Sequence, residues 1–342
     1  MDDEIPDRKS TPVSLIICAK NEEQNLTSFL PLISEQDYSE FEIVLVNDDS
    51  DDQTLKVMQE FKSKMVKLPN ISDIIILDLP KHQNKGKKYA LTQGIKATNH
   101  QYLLVTDADC KPVSKEWIST MSAYFSNEKT IVLGYSPYKK IKNSFLNKLI
   151  RFETLLTAIQ YFSYAKAGIP YMGVGRNMAF HKNEFNKVDG FKKHNHIASG
   201  DDDLFIAAAA SKINTAICFE KKSFTESLPN TSFINWFQQK RRHISTATHY
   251  KKIHQFLLGL FFSSQFLFWT LAIFLVIFQI NIQITLLLIG IRFIAWFLTV
   301  SSSAKKLDET DLLIFAPFFE ISLIFTQLCI FIANLLQPKN KW

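Results

Sequence analysis

Residues 102–109 read Tyr-Leu-Leu-Val-Thr-Asp-Ala-Asp, an apolar run that stops on two carboxylates one residue apart. A short apolar run of this kind predicts a strand covered on both faces. Upstream, Val13–Cys18 leads into Lys20-Asn21-Glu22, and Ile43–Val46 leads into Asn47-Asp48-Asp49. Ile74–Leu77 and Ile131–Leu133 are further apolar runs. Between them lie helical patterns: Leu26, Phe29, Leu30 and Ile33, then Thr54–Phe61, Lys87–Ala97 and Lys115–Phe125. Strands alternating with helices predict an α/β fold, a mostly parallel sheet with helices on both faces.

In such a sheet, right-handed crossovers bring the carboxyl ends of the strands to one edge, where ligands bind. The three polar clusters that end on Glu22, Asp49 and Asp109 all fall on that edge. Two carboxylates at a strand end can hold a hard divalent ion, Mg2+ or Mn2+, and through it a diphosphate. Such an ion offsets charge developing on a departing nucleoside diphosphate. Asp-x-Asp is common in turns; its place after a buried strand gives it weight.

The 342 residues divide sharply in character. Up to Lys252 charged and apolar residues mix as in a soluble domain, whereas Gln255–Ile291 contains no charge at all, which predicts burial in lipid. A catalytic domain over residues 1–252 and a membrane region over 253–342 follow. The amino terminus, Met1–Arg8, is acidic and lacks the apolar segment of a secretory signal. Cys18, Cys110, Cys218 and Cys329 are scattered, without metal-type spacing, as in a reducing compartment. The net charge of +6 comes with no nucleic-acid motif, so no nucleic-acid partner is expected.

Six segments, VSLIICAKNEE (13–23), VNDDSDD (46–52), KGKKYAL (85–91), TDADC (106–110), GDDDLF (200–205) and QKRRH (239–243), follow in order. Together they resemble the family 2 glycosyltransferases, over about Pro12 to His243. The resemblance implies a GT-A fold, inverting sugar transfer from a nucleotide-sugar donor (UDP- or GDP-sugar), and a divalent metal. By matching position, Ala19, Glu22, Asp48, Lys87 and Asp107 are similar to the donor-binding residues. Asp107 and Asp109 resemble the metal and diphosphate pair, with Asp109 the direct ligand. Asp202 resembles the catalytic base, Asp201 the acidic residue before it, and Asp203 is the alternative within the run of three. Gln239, Arg242 and His243 resemble the Q-x-x-R-W motif on the acceptor and product side, with histidine in place of tryptophan. Tyr171–Phe180, with Gly173 and Gly175, resembles the segment that shapes the acceptor side.

Each of these residues also has a plainer reading. Asp49, Ser50 and Asp51 can cap the helix that starts at Thr54, and Ser199 and Asp201 can cap a helix over Leu204–Ala210. Lysines at a helix start oppose its dipole and call for an anion. Lys240-Arg241-Arg242 can be a basic patch beside anionic lipid. Phe145–Ala167 reads equally as a helix against the membrane surface or one buried in the soluble domain.

In the tail, Phe256–Phe278 and about Ile284–Val300 predict two spans, with the basic flanks and Lys305-Lys306 on the cytoplasmic side. Arg292 inside the second span is costly in lipid and calls for a neighbouring helix or a headgroup. Leu312–Leu335, with Pro317 and Glu320, reads as a third span or an interfacial hairpin, and Lys339 and Lys341 disfavour a simple crossing. These features predict a multi-pass protein of the cytoplasmic membrane with its catalytic domain in the cytoplasm. The expected reaction is single-sugar transfer to a lipid or lipid-linked glycan acceptor. A processive polysaccharide synthase and an inactive membrane scaffold are the alternatives. A nucleotidyltransferase would carry a glycine-rich loop where Ala19-Lys-Asn-Glu-Glu stands.

Overall fold

The computed structural model describes residues 11–65, 70–80, 86–197 and 199–336. The amino terminus read for a leader, Lys85 of the lysine segment, and Lys339 and Lys341 lie outside the described residues.

Four parallel strands form half of a seven-stranded sheet: β1 (Val13–Ala19), β2 (Phe41–Asn47), β3 (Ile71–Asp78) and β4 (Tyr102–Asp107), ordered β3-β2-β1-β4. Every residue of β2 is buried and all but one of β1, which is why each carries an apolar run, Leu15–Cys18 and Ile43–Val46. The crossovers carry α1 (Glu23–Ser34), α2 (Thr54–Met65) and α3 (Lys87–Ala97). Gly94 of α3 lets the helix settle on the sheet, since a Cβ there would stand 2.9 Å from Ile16. The one acidic residue of β1 and β2, Glu42, is fully hydrogen-bonded. It accepts from Ser14 Oγ at 2.5 Å and from the Asn99 backbone and side-chain nitrogens at 2.6 and 2.8 Å.

The second half of the sheet departs from the parallel pattern. After β5 (Cys110–Pro112), α4 (Trp117–Ser122), β6 (Ile131–Leu133) and α5 (Phe145–Lys166), the chain enters β7 (Met178–His181). β7 inserts antiparallel between β4 and β6, so β6 is not the next parallel neighbour of β4. Then come α6 (Lys182–Lys187), α7 (Asp203–Ala209), β8 (Thr215–Ile217), parallel to β6, and β9 (Thr225–Ser227), which pairs with β5.

The remaining helices are α8 (Phe233–Ser245), α9 (Lys252–Ile277), α10 (Ile282–Lys306) and α11 (Ala316–Leu336). The last three are each long and apolar enough to cross a membrane. Arg292 of α10 is paired with Glu320 of α11 and lies over the rings of Phe268 and Trp269.

The chain separates into two compact units, and the division does not fall at Lys252. One comprises the described residues up to Lys139 with those of Gln160–Pro229; the other comprises Lys140–Ile159 and the described residues from Asn230 onward. α5 begins in the second unit, where the rings of Phe145 and Phe152 pack, tilted, against Phe319 with centroids 5.2 and 5.5 Å away. It ends in the first, where Tyr161 donates to the Gly134 carbonyl at 2.7 Å. Leu149, Ile150, Phe152, Leu155, Ala158 and Tyr161 are all buried, so α5 is a packed helix rather than one resting on a lipid surface.

Candidate active site

Strand register brings the polar clusters together. Ala19 pairs with Asn47 across β1 and β2, and Cys18 pairs with Asp107 across β1 and β4. Asp48 then donates its backbone N–H to the Ala19 carbonyl at 2.9 Å. The loops after β1 and β2 are stitched to each other. Asn21 N–H donates to Ser50 Oγ at 3.0 Å, and Asp51 N–H donates to Asn21 Oδ1 at 2.8 Å. Asn21 and Asp49 both take the left-handed backbone that Asn and Asp tolerate (φ 58° and 56°). The carboxylate that serves the start of α2 is Asp52, not Asp49, Ser50 or Asp51. It accepts from the Thr54 backbone at 3.0 Å and the Thr54 hydroxyl at 2.5 Å. Asp48 is buried beside Ala19.

Lys87 is the hinge of the site. It is the first residue of α3, where an ammonium opposes the helix dipole. Its Nζ lies 2.7 Å from Asp107 and 2.8 Å from Asp201. Burial alone would lower its proton affinity, but Asp107, Asp201 and Asp202 outweigh that and hold it well above the ordinary lysine value. The neighbouring Lys88 is structural: its ammonium donates to the His194 and Ile197 carbonyls at 2.8 and 3.0 Å.

The three aspartates at the start of α7 differ from one another. Asp201 is buried; burial would raise its carboxyl, but Lys87 holds it below the usual range. Asp203 is buried and accepts from the Leu204 N–H at 2.7 Å. Asp202 is partly exposed and is pushed up to about 7, by burial first and then by Asp201 and Asp203. It is also the residue that caps α7, in place of Ser199 or Asp201, accepting from the Asp203 N–H and the Gly175 N–H at 2.8 Å each. Gly175 permits this approach, because a Cβ there would meet Lys87 Nζ at 3.3 Å and Asp202 Cβ at 3.5 Å.

Asp109 sits between β4 and β5. Burial and the charge of Asp107 raise its carboxyl. Glu22 is raised by burial, with Asp109 and Asp107 adding to the effect. With the charge of Asp107 beside it, Asp109 makes with Asp107 a donor pair whose repulsion a divalent cation relieves. Among the described residues no group of three His, Cys, Asp or Glu side chains is arranged to hold a metal. The pair therefore fits an ion that takes its remaining oxygens from a diphosphate and water, as Mg2+ does in phosphate-binding sites.

Arg176 was not singled out by the sequence. Its guanidinium lies over the Tyr138 ring at 4.4 Å, donates to Ser227 Oγ at 2.7 Å, and acts electrostatically on Asp109. Its carbonyl accepts from Thr106 and Thr225, each at 2.8 Å, which ties it to the end of β4. The available signal was a charged residue inside Gly173-Val-Gly175-Arg176-Asn177, directly before an apolar strand.

Thus Ala19, Glu22, Asp48, Lys87, Asp107, Asp109 and Asp201–Asp203 share one sheet edge in the first unit. Gln239, Arg242 and His243 stand on α8, in the second. There Gln239 Oε1 accepts from Asn230 at 2.9 Å, and Lys240 pairs with Glu153 at 2.5 Å.

A half-parallel sheet with a lysine-bridged acidic cluster at its carboxyl edge defines a glycosyltransferase of the GT-A fold. The family described as "Glycosyl transferase family 2" matches residues 14–189, just over half of the chain, and the chain belongs to it. It is similar to the poly-beta-1,6-N-acetyl-D-glucosamine synthase of Staphylococcus epidermidis, 28% identical over 141 residues, 41% of this chain and 32% of that protein. The same enzyme of Staphylococcus aureus strain COL is 25% identical over 150 residues, 43% of this chain and 34% of that protein. The chain therefore matches about a third of the length of these curated relatives. Among solved structures, the mannosyltransferase PcManGT from Pyrobaculum calidifontis, in complex with GDP-Man and Mn2+, shares the fold. It has a TM-score of 0.57 and 18% identity over 92% of this chain and 89% of that one.

Proposed function

We propose that the chain transfers one sugar, with inversion, from a nucleoside-diphosphate sugar to a lipid or lipid-linked glycan acceptor at the cytoplasmic face of the membrane. The observation that carries this reading is the Lys87 bridge, which ties the Asp107–Asp109 loop to the Asp201–Asp203 turn. Asp202, partly exposed and raised to about 7, suits a base that takes the acceptor hydroxyl proton near neutral pH. The acceptor oxygen then bonds to the anomeric carbon, and the bond from that carbon to the diphosphate breaks with its electron pair leaving on the diphosphate. Asp107 and Asp109 would hold a divalent ion, Mg2+ or Mn2+, which when bound offsets the charge on the departing diphosphate. Lys87 and Arg176 supply positive charge on the same side, while Asp48, Ala19 and Glu22 line the base and ribose end of the donor. Gln239, Arg242 and His243 are assigned to the acceptor side.

A second reading, processive synthesis of a polysaccharide, is favoured by the similarity to the staphylococcal synthases. The two separate on product length. Purified full-length protein in nanodiscs, given UDP- and GDP-sugars with Mn2+ and membrane lipid extract, should yield an organic-extractable product carrying one sugar, with no turnover in chelator. A ladder of polymer would favour the second reading, and full turnover in chelator would remove the metal from either. A reporter fused near His243 that reads as exported would overturn the cytoplasmic orientation.

A further inference from the structure

α11 has the length and composition of a membrane span, yet both of its ends are held on one side of the second unit. It follows α10, whose end carries Lys305 and Lys306, by nine residues. In that connection Glu309 and Asp311 both bind Arg151 of α5, with Asp311 at 2.6 and 2.9 Å. The side chains of Arg151 and Glu309 are 2% and 1% exposed, so this is a fixed attachment. In the first turn of α11, Phe319 packs against the rings of Phe145 and Phe152 of α5.

The far end is attached to α8. Arg241 donates from Nε to Asn334 Oδ1 at 3.0 Å and from Nη2 to the Ala333 carbonyl at 2.9 Å, and Asn334 returns a bond to the Arg241 carbonyl at 3.1 Å. The adjacent Lys240 of α8 pairs with Glu153 of α5, two residues beyond Arg151. Both ends of α11 are therefore linked back to a single turn of α5.

α8 cannot be deep in lipid. Its 13 residues include Gln238, Gln239, Lys240, Arg241, Arg242 and His243, and six residues later α9 begins at Lys252. α9 and α10 are of nearly equal length and joined by a tight turn, which sets Lys305-Lys306 level with the start of α9. If α11 ran across the bilayer from its attachment to Arg151, Asn334 would stand about 27 Å beyond Ala316, at 1.5 Å per residue. An arginine side chain on α8 does not reach across that distance.

We infer that α11 is not a third crossing: it lies in the membrane face on the side of α8, and the described residues cross the bilayer twice. Its outward residues Phe318, Phe325, Phe331, Ile332, Leu335 and Leu336 are exposed and apolar, the surface that an in-plane helix presents to the acyl chains of one leaflet. Lys339 and Lys341, which follow it in sequence, agree with an end that is not carried across.

The test is accessibility in intact cells. In full-length protein carrying Cys329→Ser, whose own labelling gives the background from Cys18, Cys110 and Cys218, cysteines are added one at a time by Gln279→Cys, Lys305→Cys and Asn340→Cys and treated with a membrane-impermeant maleimide. Gln279→Cys should differ in accessibility from the other two, and Asn340→Cys should follow Lys305→Cys before and after the cells are opened. Asn340→Cys following Gln279→Cys would mean that α11 crosses, and all three behaving alike would mean that the α9–α10 hairpin does not; either overturns the inference. As an independent check, Arg241→Cys with Asn334→Cys should be joined by a short bismaleimide in native membranes. Failure of that pair to join in protein that still binds donor also counts against the in-plane placement.

Discussion

Replacing Asp202 by asparagine separates what this carboxyl does for the reaction from what it costs the fold. Burial, Asp201 and Asp203 raise it from 3.8 to about 7. A gap of about three pH units corresponds to roughly 4 kcal/mol, at about 1.4 kcal/mol per unit. Solvent at this partly exposed site reduces that to about 1–2 kcal/mol. The folded protein holds the proton more tightly than the unfolded chain does. The contribution is therefore complete below about pH 4 and is lost as pH climbs through about 7. Asparagine has no proton to lose but gives up one of the two backbone bonds that Asp202 accepts, about 1 kcal/mol. Asp202→Asn should accordingly be less stable than the parent at pH 4 and as stable or more so at pH 8. Thermal unfolding in detergent with chelator, at intervals across that range, measures the difference. Transfer at pH 8 should fall by roughly a hundredfold with donor affinity kept, the scale of losing a general base. A stability difference that stays constant from pH 4 to 8 refutes the raised carboxyl. Unchanged transfer refutes the base, and Asp201→Asn and Asp203→Asn made in parallel identify which carboxylate takes its place.

Asp109→Asn should leave the protein folded yet lose most metal-stimulated turnover, measured as donor hydrolysis across a Mn2+ titration; parental activity at every metal concentration would remove it as a ligand. Arg176→Met takes away the cation facing Asp109, so donor KM should rise about tenfold, the value of a charge-assisted contact. An unchanged KM would confine Arg176 to a structural role. Glu42→Leu strands Ser14 and Asn99 at the amino end of β2 and should lower stability by about 3 kcal/mol, read from denaturant midpoints. Because Glu42 lies far from the catalytic edge, a change in KM at full folding would contradict that placement.

The parallel half of the sheet was legible because β1, β2 and β4 are buried on both faces and so carry uninterrupted apolar runs. β7 escaped notice for the opposite reason. Met178–His181 is four residues long and follows a glycine-rich turn, so its antiparallel insertion depends on partners distant in sequence. The acidic clusters could be assigned to one edge from strand order alone. The Lys87 bridge could not, since it requires the turn before α7 to return beside β4. The capping residues, Asp52 and Asp202, were each displaced from the residues named for them, because several adjacent aspartates offer similar local geometry and only the fold selects one. The affiliation of α5 and α8 with the apolar helices was hidden by their charges. Arg151, Lys240 and Arg241 look solvated in sequence and are instead bonded within the second unit.

The discontinuous second unit bears on how this enzyme can be cut down for study. Ending the chain at Lys252, where hydropathy changes, would discard Glu309, Asp311, Phe319 and Asn334 while keeping the groups they serve. Arg151 would lose its carboxylates, Phe152 its ring partner and Arg241 its amide. Such a fragment would be freed of the apolar spans yet left with an unpaired buried cation and bare aromatic surface, and would tend to associate through them. Solubility is better sought by substituting the exposed apolar residues of α9 and α10, such as Phe256, Leu260, Leu287 and Ile291, with the whole chain retained.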